Sequence, residues 1–228
     1  MTPSLWDRYA GVERELAAAL EKCGRRREEV LLLPVSKTVS AEKIAELYAH
    51  GIRVFGENRA AVLAEKAKLL PPDIEWHFIG PLQSNKVRKV VQAAAVIHSV
   101  DNAEILRRLD RIAGEEGRAT RFLLEVSVSG EESKGGVPLD GLDELAELAN
   151  DCSHAVWTGL MTMAPLHAAE VELRSIFGRL AIERDRLEKS FGRKLPTLSM
   201  GMSGDYRVAV ECGSTLVRLG TCIFGEGI

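Results

Sequence analysis

The sequence has no paired cysteines. Its four cysteines form no CxxC pair and stand at no spacing from a histidine that would suit a tetrahedral zinc site; they are Cys23, Cys152, Cys212 and Cys222. The pattern therefore predicts neither a disulfide framework nor a structural zinc site. We expect reduced thiols and a cytoplasmic location.

Long apolar runs and an excess of positive charge are also missing. Residues 1–24 mix Arg, Glu and Lys into their apolar periodicity, which predicts neither a secretory signal nor a membrane span. A formal net charge of −3 and a pI of about 6.0 leave no positive field for nucleic acid or an anionic membrane surface. The five histidines show no HExxH or similar spacing, so no metal site is expected. A small soluble ligand fits this composition better.

What the sequence does contain is a repeated order of short apolar segment, polar turn and helical stretch. Apolar segments without polar alternation are typical of strands buried on both faces of a parallel sheet. Eight segments qualify: residues 30–36, 53–55, 76–79, 96–99, 121–128, 156–160, 197–199 and 216–219. Helical stretches rich in Ala, Leu, Glu, Lys and Arg lie between them, for example 41–50, 59–69, 103–116, 139–151 and 168–190.

This alternation predicts an α/β fold, a single (β/α)8 TIM barrel forming one domain over residues 1–228. A doubly wound open sheet stays as the alternative, because the element count does not say whether the sheet closes. An additional N-terminal helix over residues 1–24 is expected to pack on the barrel. Thr2 and Pro3 resemble a hydroxyl cap followed by proline at the first helical position.

The ends of the predicted strands carry small, polar and glycine-rich motifs. In a parallel barrel the residues that follow each strand form the functional face. The motifs are VSKT (35–38), FGEN (55–58), HFIGPLQSNK (77–86), HSVD (98–101), ESKGG (132–136), GLMTMAP (159–165), SMGMSGD (199–205) and RLGTCIFG (218–225). His77 and His98 stand in these motifs, where they either line the pocket or are structural.

The segments after the seventh and eighth strands, SMGMSG and RLGT, suggest a phosphate site. Glycine allows close backbone approach, and Ser or Thr hydroxyls can join backbone N–H groups around a dianion. Either segment alone is as well explained by an ordinary glycine turn, but the two occur on successive strands. Ser203 resembles the nucleophile of a GxSxG elbow, yet Asp205 replaces the second glycine, which disfavours a hydrolase.

Lys37 follows the first buried strand on the same predicted face. An amine in a partly desolvated site loses its proton readily enough to form an imine with a carbonyl ligand. Together with a phosphate site, this lysine suggests a phosphorylated aldehyde, and pyridoxal 5'-phosphate (PLP) is the obvious candidate.

The motifs VSKT, FGEN, WHFIGPLQSNK, HSVD, GEESKGG, GLMTMAP, SMGMS and RLGTCIFG stand in the order seen in the PLP homeostasis protein family, whose members are similar to the N-terminal barrel of alanine racemase. The resemblance runs from about Val30 to Gly225. Two residues depart from the family's usual pattern: Arg59 follows FGEN where tyrosine is common, and Ser127 stands where asparagine is often found.

The resemblance implies a fold-type III PLP-binding barrel without the second domain of the enzymes. It also implies roles for single residues: Lys37 would form the Schiff base, Asn58 would lie beside the ring, and Arg218 would face the pyridine nitrogen. The residues implied to hold the phosphate are Ser199, Ser203, Gly220 and Thr221.

The leading functional hypothesis is a PLP carrier or reservoir that supplies PLP-dependent apoenzymes, acting as a monomer. An amino-acid racemase is the main alternative. It would need a second base opposite Lys37, and the sequence offers only Tyr9, Tyr48 and Tyr206, of which Tyr206 is nearest the phosphate loop. A third hypothesis is an interaction module that passes PLP to partner enzymes by direct contact.

Overall fold

The strands of this chain are short, mostly apolar and parallel, and helices follow them along the chain except that β5 is followed by the two-residue strand β6. The structure, a computed structural model, describes residues 3–129 and 135–225. Its strands are β1 Leu31–Pro34, β2 Val54–Glu57, β3 Glu75–Phe78, β4 Val96–Val100, β5 Arg121–Ser127, β6 Val137–Pro138, β7 Val156–Met161, β8 Thr197–Ser199 and β9 Leu216–Leu219. Its helices are α1 Leu5–Lys22, α2 Ala41–Ala49, α3 Ala60–Leu69, α4 Val87–Ala93, α5 Ala103–Glu115, α6 Leu142–Asn150, α7 Glu170–Phe191, α8 Tyr206–Glu211 and α9 Thr221–Phe224.

The sheet closes into a barrel. The strand order is β1-β9-β8-β7-β5-β4-β3-β2, and all described pairs are parallel. A bridge between Val35 and Gly56, just beyond β1 and within β2, joins the two ends of this path. The (β/α)8 prediction is thereby confirmed, and the open doubly wound alternative is wrong.

The apolar core lies mainly between the strands and the surrounding helices, with Phe55, Phe78, Phe122 and Trp157 almost fully buried. The buried polar residues include several from the ends and inner faces of the strands: Ser36, Glu57, His77, His98, Glu125, Ser199 and Arg218. A barrel interior usually consists of branched apolar side chains. The buried polar residues therefore indicate a functional site inside this barrel.

Helix α1 packs on the barrel, as predicted, but it begins later than expected. Its N-cap is Ser4, whose hydroxyl accepts from the Asp7 N–H while the Asp7 carboxylate accepts from Ser4. This reciprocal capping box satisfies two of the free N–H groups at the helix start. The predicted cap with Pro3 in the first turn is therefore wrong, because the stronger cap lies downstream. Thr2 itself lies outside the described residues.

The predicted strand positions hold to within one or two residues. The second strand begins at Val54 and ends at Glu57, later than the predicted 53–55, because Gly56 pairs with His77 in the neighbouring strand. The short strand β6 was not predicted, and the ESKGG motif before it lies largely outside the described residues. In the described part of the chain, no helix is long and apolar enough to cross a membrane.

Candidate functional site

The carboxyl ends of the parallel strands form one mouth of the barrel, and Lys37 lies at its rim. Just before this lysine, the Ser36 N–H and hydroxyl both donate to the Gly56 carbonyl oxygen, at 2.8 and 3.1 Å. These bonds fix the end of β1 against β2. The Lys37 side chain is exposed rather than partly buried, because the strand has ended and the chain turns there.

A buried ion pair lies beneath this rim. The Lys66 ammonium group on α3 donates to the Glu57 carboxylate at 2.6 Å and to the Ser36 carbonyl oxygen at 2.7 Å. The other Glu57 oxygen accepts from the Asn58 and Arg59 N–H groups at 2.8 and 3.3 Å. This ion pair thus fixes the backbone at the ends of both β1 and β2. In the sequence, Glu57 stands only as part of FGEN, and Lys66 belongs to no motif.

Asn58 follows β2 and carries a buried side-chain oxygen, Oδ1, that has no hydrogen-bond partner among the described residues. Gly80 packs closely against the Asn58 backbone, because a Cβ added at Gly80 would come 2.0 Å from the Asn58 carbonyl oxygen. Leaving a buried polar atom unpaired costs free energy. Asn58 is therefore held in place with a hydrogen-bonding capacity that the protein itself does not use.

The two glycine-rich segments meet at the mouth beside β1, because β9 pairs with both β1 and β8. β8 pairs with β9 at Ser199 and Leu216, and the Cys222 N–H approaches the Ser203 hydroxyl at 3.5 Å. Gly201 has a φ of +99°, and a Cβ there would lie 2.8 Å from the Ala209 Cβ, so only glycine fits. Ser203 and Gly220 are half-buried and Thr221 is exposed, so all three can be reached from outside.

Arg218 is a buried cation of the barrel interior, with 4% of its surface exposed. Its Nη1 donates to the carbonyl oxygen and the hydroxyl of Ser199 at 2.8 and 2.6 Å, and its Nη2 donates to the Thr162 carbonyl oxygen at 3.0 Å. Burial lowers the pKa of Arg218 to about 10, while Glu125 and Asp205 act in the opposite direction. The guanidinium group remains a fixed positive charge at neutral pH.

Glu125 on β5 is the acidic counterpart of this cation. Burial, together with repulsion from Asp101, raises the pKa of Glu125 to about 7, and attraction to Arg218 only partly offsets the rise. The interior of the mouth therefore combines a permanent cation with a carboxyl group that is partly protonated at neutral pH. Glu125 could not be predicted from the sequence, because a single acidic residue within an apolar strand forms no motif.

His77 and His98 lie inside the barrel, where they contact each other. His98 Nδ1 lies 2.9 Å from the Ser199 hydroxyl and His98 Nε2 lies 2.9 Å from His77 Nδ1. His77 Nε2 lies 3.0 Å from a carboxylate oxygen of Glu75. Burial lowers the pKa of His77 and lowers the pKa of His98 well below its ordinary value. Ser199 is thus a partner of Arg218 and His98 within the interior, and its predicted contact with a phosphate stays a prediction.

The hydroxyl groups of the three tyrosines are bonded to carboxylates. Tyr9 bonds to Glu13 within α1 at 3.0 Å, and Tyr48 bonds to Asp73 at 2.8 Å. Tyr206 is held against the outer helix α1 by a 3.0 Å bond to Glu15. Burial is the main cause that raises the pKa of Tyr206 to about 12, and the hydrogen bond to Glu15 is the second. In this structure the Tyr206 hydroxyl is therefore engaged by α1.

Comparisons with known proteins agree with the motif analysis. The family model described as alanine racemase, N-terminal domain, matches residues 14–227. A pyridoxal phosphate homeostasis protein of Aquifex aeolicus is 40% identical over 221 residues, which are 96% of this chain and 97% of that protein.

Solved structures give the same result. The structure of PipY from Synechococcus elongatus with PLP bound is 37% identical, matches 97% of this chain and 100% of its own, and has a TM-score of 0.85. The alanine racemase of Corynebacterium glutamicum, at 16% identity and a TM-score of 0.71, shares the fold over 95% of this chain and 61% of its own. The chain belongs to the pyridoxal phosphate homeostasis protein family, within the larger family of alanine racemase N-terminal barrels.

Proposed function

We propose that this protein binds PLP at the carboxyl-terminal mouth of its barrel and serves intracellular PLP homeostasis as a carrier or reservoir. One observation carries the proposal: Lys37, Asn58 and the two glycine-rich segments lie at the same end of the barrel, around the buried Arg218. The structure of PipY was solved with PLP bound, and it matches 97% of the present chain.

The residues of the mouth fit this cofactor. The buried Asn58 Oδ1 lacks a partner among the described residues, as expected where a polar ligand completes the site. At Gly220 a Cβ would lie 3.3 Å from the Val35 carbonyl oxygen, so glycine keeps the backbone open beside the strand that leads to Lys37. The guanidinium group of Arg218 offers N–H donors to an aromatic nitrogen.

Bound PLP supplies an aldehyde and an electron-withdrawing ring. In the proposed site Lys37 provides the amine for that aldehyde, and Ser203, Gly220 and Thr221 bind the phosphate through hydroxyl and backbone N–H groups. Arg218 faces the ring nitrogen. Because a guanidinium holds its protons tightly, it leaves that nitrogen unprotonated, and this favours storage over carbanion chemistry.

A racemase remains the alternative function, and it needs a second base opposite Lys37. Tyr206 is the tyrosine nearest the phosphate loop, but its hydroxyl is bonded to Glu15 on α1. This contact favours the carrier. Loss of measurable racemisation on changing Tyr206→Phe would support the enzyme instead, whereas PLP-dependent capture of purified apoenzymes would support transfer by direct contact.

The first test is the absorbance spectrum of the purified protein with and without PLP. We expect a visible band that borohydride abolishes and that Lys37→Ala lacks. Lys68→Ala, which removes an exposed lysine of α3, is the matched control and should keep the band. A wild-type protein without the band at saturating PLP would refute the proposal.

A further inference from the structure

A continuous line of hydrogen bonds crosses the barrel interior from the mouth to the opposite end. It starts at Arg218 and Ser199 on the mouth side, and its remaining members are His98, His77, Glu75 and Arg121. Glu75 and Arg121 are the first residues of β3 and β5, so they lie at the amino-terminal end of the barrel. Four of its members stand in strand-end motifs, but the motifs do not indicate that they are joined to one another or to Glu75 and Arg121.

The two ends of the line can be assigned without ambiguity. Arg218 Nη1 lies 2.6 Å from the Ser199 hydroxyl oxygen, and a guanidinium group can only donate. Glu75 bonds to His77 at 3.0 Å and to Arg121 at 2.7 Å. The hydrogen bond from His77 is the main cause that lowers the pKa of Glu75 to about 2, so this carboxylate can only accept.

The ends fix the middle. A neutral histidine has one donor and one acceptor nitrogen, and burial keeps His77 and His98 neutral at neutral pH. His77 Nε2 must donate to Glu75, which leaves His77 Nδ1 as the acceptor of a proton on His98 Nε2. His98 Nδ1 is then an acceptor, and its neighbour at 2.9 Å is the Ser199 hydroxyl. Each bond between Arg218 and Glu75 therefore points away from the mouth and towards Glu75.

This direction decides what Ser199 can do. Its single hydroxyl proton is committed to His98, while its oxygen accepts from Arg218. Towards the mouth the Ser199 hydroxyl can only accept a hydrogen bond. The oxygens of a phosphate dianion can also only accept, so Ser199 cannot form a hydrogen bond with them. Ser203 is outside this line: it is half-buried, and its hydroxyl contacts Cys222. Ser199 at the end of β8 and Ser203 in the loop after it therefore differ in function.

We infer that Glu75, His77 and His98 form a one-directional hydrogen-bond chain that makes Ser199 a positioning residue for Arg218 rather than a donor to the ligand's phosphate. The inference deepens the proposed function and rests on it, since Arg218 is assigned to the ring of PLP. Ser199 acts on the ring side of the ligand, and Ser203 acts on the phosphate side.

Comparing PLP with pyridoxal, which lacks the phosphate, separates the two serines. Ser199→Ala should weaken the binding of both ligands by the same factor, about three- to tenfold, because the lost bond supports Arg218. Ser203→Ala should weaken PLP binding and leave pyridoxal binding unchanged within about twofold. Both dissociation constants come from absorbance titrations of the full chain.

A loss confined to PLP in Ser199→Ala would overturn the inference, and so would unchanged binding of both ligands. If the wild-type protein binds neither ligand, the proposed function fails. The direction of the chain can still be measured in that case.

That direction is tested by nitrogen-15 NMR of the histidine rings in the unaltered protein. We expect His77 and His98 to be neutral between about pH 7 and 8 and protonated only on Nε2. The exposed His50, His154 and His167 provide reference signals in the same spectrum. Ser199→Ala should shift the Nδ1 resonance of His98, whereas Ser203→Ala should not. A proton on Nδ1 of His98 would refute the one-directional chain.

Discussion

The Lys66 ammonium group donates a 2.7 Å hydrogen bond to the Ser36 carbonyl oxygen, one residue before Lys37. The same nitrogen pairs with Glu57, whose side chain is fully buried. The lysine proposed to hold PLP is therefore positioned by a second lysine that does not itself reach the mouth. This support has consequences that can be measured.

Replacing Lys66→Met should be severely destabilising, because it leaves the Glu57 carboxylate buried without a counter-charge. The expected loss in the free energy of unfolding is about 3–5 kcal/mol, measured by urea denaturation. The double variant with Glu57→Gln removes both charges and should lose less. Equal losses in the single and double variants would show that the unpaired charge is not the cause.

Gly80→Ala should displace Asn58, because the added Cβ would come 2.0 Å from the Asn58 carbonyl oxygen. We expect a stability loss of about 1–3 kcal/mol from this overlap together with weaker PLP binding. Gly178→Ala in α7 is the control, because a Cβ there meets nothing within 4 Å. That control should be neutral or stabilise the helix by up to about 1 kcal/mol. Unchanged PLP affinity in Gly80→Ala would argue against a role for Asn58.

Asn58→Leu should weaken PLP binding without lowering the stability of the fold. The substitution removes a buried oxygen that has no partner among the described residues, and such an atom costs about 1–3 kcal/mol. Without PLP, the melting temperature should stay the same or rise, while the dissociation constant for PLP increases. A lower melting temperature with unchanged affinity would mean that Asn58 serves the fold and not the ligand.

Glu125 should make the stability of the ligand-free protein depend on pH. Its pKa is raised from 4.5 to about 7 in the folded state, so the folded state retains a proton that the unfolded state releases first. The stabilisation is fully present below about pH 4.5 and is lost as the pH rises through about 7, a change of about 3 kcal/mol at 1.36 kcal/mol per pKa unit.

Glu125→Gln should remove this contribution, since an amide does not titrate in that range. Urea midpoints of both proteins at pH 5 and pH 8 provide the comparison. The free energy of unfolding of the variant minus that of wild type should be larger at pH 8 than at pH 5. A constant difference between the two proteins would contradict the raised pKa.

The sequence by itself determined the elements of the fold and the face that carries the chemistry. Strand and helix periodicity are local properties, and parallel strands joined by helices place all their carboxyl ends on one side. For that reason Lys37, Asn58, Ser203 and Gly220 could be predicted to share a mouth before any distance was known.

The tertiary structure alone decided which side chains contact each other across the barrel. The bonds that His98 donates to His77 and that Arg218 donates to Ser199 depend on strand register and closure, which bring inward-facing residues of different strands together. The contact between Lys66 and Ser36 likewise joins a helix to the end of another strand. Periodicity in the sequence indicates which residues face inward, but a partner's identity depends on distances that only the closed barrel sets.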